Sequence, residues 1–157
     1  MAQQIRFDDV DALKAKMGKE FGPWSDPVEV TQEKINQFAD VTGDHQWIHI
    51  DVERSKRESP FKGPVAHGFL TLSLLPGFRN SAEEYNIVGM RNAVNYGANK
   101  LRFTAPVPAG AKVHARSRIT AVEPRPQGTM ITRETEISVV GQERAAVVYE
   151  GLTLYVK

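Results

Sequence analysis

An α+β fold is predicted, a single antiparallel sheet curled around one buried helix, and three features of the sequence point to it. The stretch Ala66-His67-Gly68-Phe69-Leu70-Thr71-Leu72-Ser73-Leu74-Leu75 is apolar on nearly every side when wound as a helix, which calls for burial all round. Past Gly89 the period drops to two, with Val113, Ala115, Ser117, Ile119 and Ala121 alternating with Lys112, His114, Arg116, Arg118 and Thr120. Runs of the same kind at 92–103, 130–140 and 144–156 are separated by Pro-Val-Pro-Ala-Gly, Pro-Arg-Pro-Gln-Gly and Gly-Gln-Glu turns, which suits an antiparallel meander.

The earlier elements follow from local chemistry. Apolar Phe7, Val10, Leu13 and Met17 recur at spacings of three and four, so 7–17 reads as a short amphipathic helix with Asp8 or Asp9 to cap it, broken by Gly18, Gly22 and Pro23. Residues 28–30 form a brief strand. Thr31 is placed to cap a helix whose apolar face is Ile35, Phe38 and Ala39, and Gly43 ends that helix. From 44 to 64 the chain is polar and turn-rich apart from a helical turn after Asp51. The apolar helix is expected over about three turns between Pro64 and Pro76-Gly77. A sheet covers one flank of such a helix, and a second copy of the chain is the expected cover for the other, giving a homodimer.

Bulk properties narrow the function classes. One domain spanning 1–157 is expected, since 157 residues with 41% hydrophobic content hold one core. Twenty Lys and Arg against 19 Asp and Glu give a net charge of +1, so the overall field favours no nucleic acid, and an anionic ligand needs a local cluster. With no cysteine, disulfides, thiolate nucleophiles and sulfur-based zinc sites are excluded, leaving His, Asp and Glu for chemistry. The N-terminus turns acidic before any apolar run, and no segment approaches the roughly 20 apolar residues of a membrane span, so a cytoplasmic protein is expected.

Of the four histidines, His114 sits on the solvated face of a strand, whereas His45, His49 and His67 fall near Asp40, Asp44 and Asp51 in the chain's one acid/base cluster. Asp44 and His49 follow the helix-ending Gly43. A carboxylate and an imidazole sharing one water can deprotonate it and return a proton to a neighbouring carbon, as hydration of a conjugated double bond requires. On composition alone a structural pair is the commoner reading, with Asp44 capping a turn and His49 hydrogen-bonded in the core. Gly68 carries the same ambiguity: its N–H at the start of the helix can hold a carbonyl as that oxygen gains charge, or its missing side chain lets the helix pack closely. His45 and His49, four apart, share a face only if helical, and Gly43 with the polar turn argues against a metal site there with Asp44 or Asp51.

Two blocks together carry a resemblance. Ala39-Asp40-Val41-Thr42-Gly43-Asp44-His45-Gln46-Trp47-Ile48-His49-Ile50-Asp51, followed by Gly63-Pro64-Val65-Ala66-His67-Gly68-Phe69-Leu70-Thr71-Leu72-Ser73, resembles the signature of the MaoC-like, (R)-specific enoyl-CoA hydratases. Asn95-Tyr96-Gly97-Ala98-Asn99-Lys100-Leu101-Arg102-Phe103 and Ala105-Pro106-Val107-Pro108-Ala109-Gly110 look like the branch named after nodulation protein N. The resemblance implies a hot-dog fold and reversible hydration of trans-2-enoyl-CoA to (3R)-3-hydroxyacyl-CoA, with no metal and no redox cofactor. It implies Asp44 and His49 as the catalytic pair, Gly68 as the backbone donor to the thioester oxygen, and Ser73 and His67 as active-site support. Gln46-Trp47 stands where many relatives have Asn-Pro, which leaves the Asp-to-His spacing intact and bears on pocket shape. The phosphates of coenzyme A need positive charge, for which Lys56, Arg57, Lys62, Lys100 and Arg102 are candidates, although scattered Lys and Arg are mostly solvated surface. An acyl-CoA thioesterase and a noncatalytic acyl-CoA binding subunit are the competing readings.

Overall fold

The computed structural model describes all 157 residues. The chain opens with β1 (Gln3–Arg6) and α1 (Val10–Lys14), the latter capped by Asp9, whose side chain accepts the Ala12 N–H. The helix expected over 7–17 thus spans only Val10–Lys14. Phe7 ends up with Ile5 in a buried extended segment, because β1 pairs in parallel with β3 (Tyr85–Val88). The sequence pattern does not predict that two-stranded sheet: its strands are short, their paired residues lie 82 positions apart, and the period of four across 7–17 masks the first.

After β2 (Val28–Glu29), Thr31 caps α2 (Gln32–Thr42) as expected, its hydroxyl accepting the Lys34 N–H at 3.2 Å. Ile35 and Ala39 are buried, Phe38 packs against the same core, and Gly43 ends α2 in the left-handed region at φ 79°. Thr31→Ala is expected to cost about 1 kcal/mol through the lost cap; urea denaturation reads this as a lower midpoint with an unchanged slope. The polar stretch then holds two short helices, α3 (Trp47–Ile50) and α4 (Val52–Glu58). Asp51 caps α4 by accepting the Arg54 N–H at 3.0 Å, which is the helical turn expected after Asp51; α3 has no side-chain cap to announce it.

The apolar run does not become a three-turn helix. α5 covers only Gly68–Ser73, and a 3₁₀ turn follows at Leu75–Gly77. Backbone bonds explain the shortening at the front: Val65 bridges Pro108, and the Ala66 N–H donates to the Val107 carbonyl at 2.8 Å, so both residues stay extended. Pro76 closes the other end by removing a donor. Nor is α5 buried all round. Leu70 and Thr71 face the sheet, while Phe69 is 60% exposed on the opposite flank and Ser73 is exposed beside it.

The main sheet comprises β2, β4 (Asn92–Phe103), β5 (Lys112–Arg125), β6 (Gly128–Val139) and β7 (Val147–Val156), in the order β2-β5-β6-β7-β4. Only β5-β6-β7 is a meander. β4 pairs antiparallel with β7 at the far edge, since the connection 104–111 crosses under the sheet and is tied there by Ala109 N–H to Pro64 O and Gly110 N–H to Val30 O. The expected alternation holds in β5, where Val113, Ala115 and Ile119 are buried while Arg116 and Arg118 pair with Glu136 and Glu134 directly opposite on β6.

This is the hot-dog arrangement. One core cluster, with Ile35, Leu70, Val113, Ile137 and Val147, packs between α5, α2 and the sheet; a second, with Phe7, Leu13, Ile119, Ile131 and Tyr155, fills the end covered by β1 and α1. No helix is long and apolar enough to cross a membrane.

Candidate active site

Gly43 reverses the chain at the end of α2, and Asp44 leaves on an exposed loop beyond it. Asp44 does cap locally: its carboxylate accepts the Gln46 N–H at 3.3 Å, and its own N–H donates to the Thr42 hydroxyl at 3.3 Å. The two sequence readings of Asp44 are therefore compatible, because one lone pair in the turn leaves others free.

His49 lies on α3 and is 7% exposed. Its Nδ1 is 2.6 Å from the Val65 carbonyl. A carbonyl only accepts, so Nδ1 carries the proton and Nε2 presents its lone pair. Gln32 at the start of α2 donates to the His49 carbonyl at 2.8 Å, fixing the backbone as well. Val65 is the hub that the sequence does not advertise: its N–H donates to Ile48 O, its carbonyl orients His49, and its bridge to Pro108 ties both to the sheet side.

His67 immediately precedes α5 and is 4% exposed. Its Nε2–H donates to the Asp44 carbonyl at 3.0 Å, its ring stacks on His49 at 3.9 Å between centroids and 24° between planes, and its buried Nδ1 has no partner. One oxygen of Asp44 and one ring nitrogen each of His49 and His67 lie within 4.8 Å of one another. Residues 23 positions apart in sequence thus converge as expected.

Of this cluster His49 alone lines a cavity of about 360 Å³, with Gly68 and Thr71 and apolar Phe61, Phe103 and Val107; Asp44 and His67 lie behind its wall. The Gly68 N–H has no acceptor within the chain. Gly68 also has a packing role: a Cβ there would sit 2.7–2.9 Å from the Phe103 ring, so the close approach actually made is by β4. The packing reading of Gly68 holds, and its N–H is left free for an acceptor.

Burial pushes the His49 imidazole below the ordinary histidine value; the bond to Val65 opposes this, the His67 ring adds to it, and Asp44 pulls the other way. The neutral imidazole with a free Nε2 is therefore the resting form at neutral pH. His45 behaves differently. Its Nε2 reaches Asp40 at 2.8 Å on the surface, a pairing that raises its value, and the pair is too exposed to matter much for stability.

His45 thus stands apart from His49, and the metal site considered through their spacing does not form. The Asp44, His49 and His67 trio is ill suited to an ion for another reason. Rings stacked face to face direct their lone pairs along nearly parallel planes, so an ion about 2.0–2.1 Å from one nitrogen lies out of the plane of the other.

The remaining candidates are more peripheral. Ser73 turns its hydroxyl back onto the Phe69 carbonyl at 2.6 Å and does not line the cavity. Trp47 is capped by the Arg54 guanidinium at 4.3 Å and is also outside the cavity wall. Lys56 and Arg57 lie on α4 near Glu53 and Glu58, whereas Lys62 (φ 60°) and Arg102 are exposed neighbours in sequence of the cavity-lining Phe61 and Phe103. Lys100 is exposed on β4, and His114 is stacked on Trp24 at 3.9 Å, away from the cluster.

A sheet curled on a short helix, with an Asp/His pair near a free amide at the helix start, defines a hot-dog protein with its acid/base cluster at the start of that helix. Residues 14–140 match the family model described as MaoC like domain, and the chain belongs to that family. It is 46% identical over 151 residues to 3-hydroxyacyl-thioester dehydratase Z of Mycobacterium tuberculosis, covering 96% of this chain and 97% of that one. It is 36% identical over 143 residues to nodulation protein N of Rhizobium leguminosarum bv. viciae, covering 90% and 88%. In fold it is similar to the (R)-hydratase from A. caviae involved in PHA biosynthesis, with a TM-score of 0.66 at 24% identity over 87% of this chain and 97% of that one.

Proposed function

We propose that the chain is an (R)-specific hydro-lyase that reversibly adds water to trans-2-enoyl-CoA, giving (3R)-3-hydroxyacyl-CoA, with Asp44 and His49 as the acid/base pair. The observation that carries this is an apolar cavity lined by the His49 imidazole and by Gly68, whose N–H is unpartnered, with the Asp44 carboxylate behind the wall within 4.8 Å of the imidazole. The 46% identical relative, a 3-hydroxyacyl-thioester dehydratase by name, supports the same class. The thioester oxygen accepts from Gly68 N–H, which polarises the double bond and stabilises the enolate. Water sits between the carboxylate and His49. As its oxygen bonds to C3, Nε2 of His49 takes one of its protons and then returns it to C2, so one O–H bond breaks, C–O and C–H bonds form, and both side chains end as they began. Asp44 orients the water through its second O–H. Lys62 and Arg102, next in sequence to the cavity-lining Phe61 and Phe103, are candidates for the phosphates of coenzyme A together with Lys56, Arg57 and Lys100.

The working form is a cytoplasmic homodimer. β4 is a twelve-residue edge strand exposed along nearly its whole length, with apolar Val94, Tyr96 and Phe103 open beside Phe69, and long apolar edges of this kind call for a partner. Light scattering of the purified chain should give twice the monomer mass, and Tyr96→Asp should halve it.

Crotonyl-CoA supplied to the purified protein without added metal should lose its enoyl absorbance and yield the (3R)-hydroxy product on chiral analysis. Release of free thiol without hydroxyacyl product would instead place the chain among thioesterases. Tight binding with no turnover at any chain length would make it a binding subunit.

A further inference from the structure

Beyond the pair itself, one buried group in the cluster has no step in the reaction. We infer that His67 is a positioning residue that locks Asp44 and His49 into one unit and keeps His49 in its unprotonated, proton-accepting form. This rests on the reading of Asp44 and His49 as the acid/base pair.

The geometry supplies two separate contacts. The Nε2–H of His67 pins the backbone carbonyl of Asp44, the only long-range bond that the exposed Asp44 loop makes to the buried helix start. The ring face covers His49 at 3.9 Å and is itself backed by Phe38 at 5.0 Å, so His49 cannot tilt without displacing α2. The Nε2 proton of His67 is directed at the Asp44 carbonyl and its buried Nδ1 has no partner.

A cation on His49 would therefore face an imidazole rather than water. The groups facing His49 are few: Asp44 from the loop, His67 from the start of α5 and the neutral amide of Gln32 from α2. The connection 104–107, β7 and the end of β4 present only Phe103, Thr104, Ala105, Pro106, Val107, Ala146 and Val147 to the cavity. The downward push on His49, led by burial and reinforced by His67, agrees with this placement.

Two substitutions separate the two contacts. His67→Gln keeps a donor for the Asp44 carbonyl and removes the ring; His67→Phe keeps a ring face over His49 and removes the donor. Titration of the His49 ring carbon–proton signal by NMR needs no substrate, so it is read whether or not the protein turns over enoyl-CoA. In the wild type His49 should titrate below the ordinary value of about 6.5. In His67→Gln its midpoint should rise, and the acid limb of kcat/KM for crotonyl-CoA should move up with it. In His67→Phe the midpoint should stay low while kcat falls at every pH, by about 10- to 100-fold, through a slack Asp44. An unmoved midpoint in His67→Gln overturns the inference, as does a wild-type His49 that titrates at or above 6.5, a result that stands even if a variant fails to fold. A moved midpoint in a protein without hydratase activity would leave the inference intact and sink the reaction assigned above.

Discussion

Asp44→Asn should lower the hydration rate of crotonyl-CoA by about 10²- to 10⁴-fold, the range that a positioned acid/base group contributes, while leaving the melting temperature nearly unchanged. The side-chain shape and the oxygen that accepts the Gln46 N–H are both kept, and the residue is exposed, so the fold has little reason to notice. What is lost is the carboxylate proposed to hold water against His49. His49→Ala should lose a similar factor with an added stability cost of about 1–3 kcal/mol, because the buried Val65 carbonyl loses its donor. The double variant should be little worse than either single one, since the two groups act on one water and their effects do not add. Progress curves of enoyl absorbance, corrected for the folded fraction by circular dichroism, provide the check. Near wild-type rates in both single variants would remove the pair from the chemistry.

The sheet half of the fold was legible because period two reports a strand with one dry face directly: β4 was placed to the residue, and β5, β6 and β7 within a few residues of their ends. The strand order was not, since nothing local distinguishes a β4 that pairs with β5 from one that crosses to β7; that choice is made by the bonds tying 108–111 to Pro64 and Val30. The helix was misjudged for a related reason. Hydrophobicity at Val65 and Ala66 reflects burial in an extended segment, and helix and strand burial look alike in a short apolar run. Thr31 and Gly43 were readable because cap and left-handed stop are properties of single residues. In the site, the cluster of Asp44, His49, His67 and Gly68 was visible as a motif, but the grouping into pairs was not. His45 and His67 are equally plausible partners on paper; only the fold sends His45 out to Asp40 and brings His67 onto His49. The Val65 carbonyl is a backbone group and leaves no residue-type signal at all.

Gly68→Ala should reduce the rate about 10- to 100-fold although the amide proposed to bind the thioester oxygen is still present. The new methyl meets the Phe103 ring at 2.7–2.9 Å, and a ring is not the flexible end of a side chain, so either β4 or the start of α5 must shift. A displacement of an ångström at the donor is enough for a loss of about 10²-fold in a positioned site. Phe103 is held in place by its edge-on contact with Phe69 at 5.2 Å, which makes the ring slower to yield. If packing is the whole reason for the loss, then Phe103→Leu, which takes away the ring, should have little effect alone and should restore most of the activity when combined with Gly68→Ala. A double-mutant cycle on kcat/KM isolates that coupling, expected at about 1–2 kcal/mol for residues in direct contact. Additive losses would mean instead that the methyl blocks the thioester itself, so that the space above Gly68 belongs to the substrate and Phe103 must swing aside on binding. The two outcomes assign the same missing side chain to the protein's own packing or to its ligand, and the presence or absence of coupling decides between them.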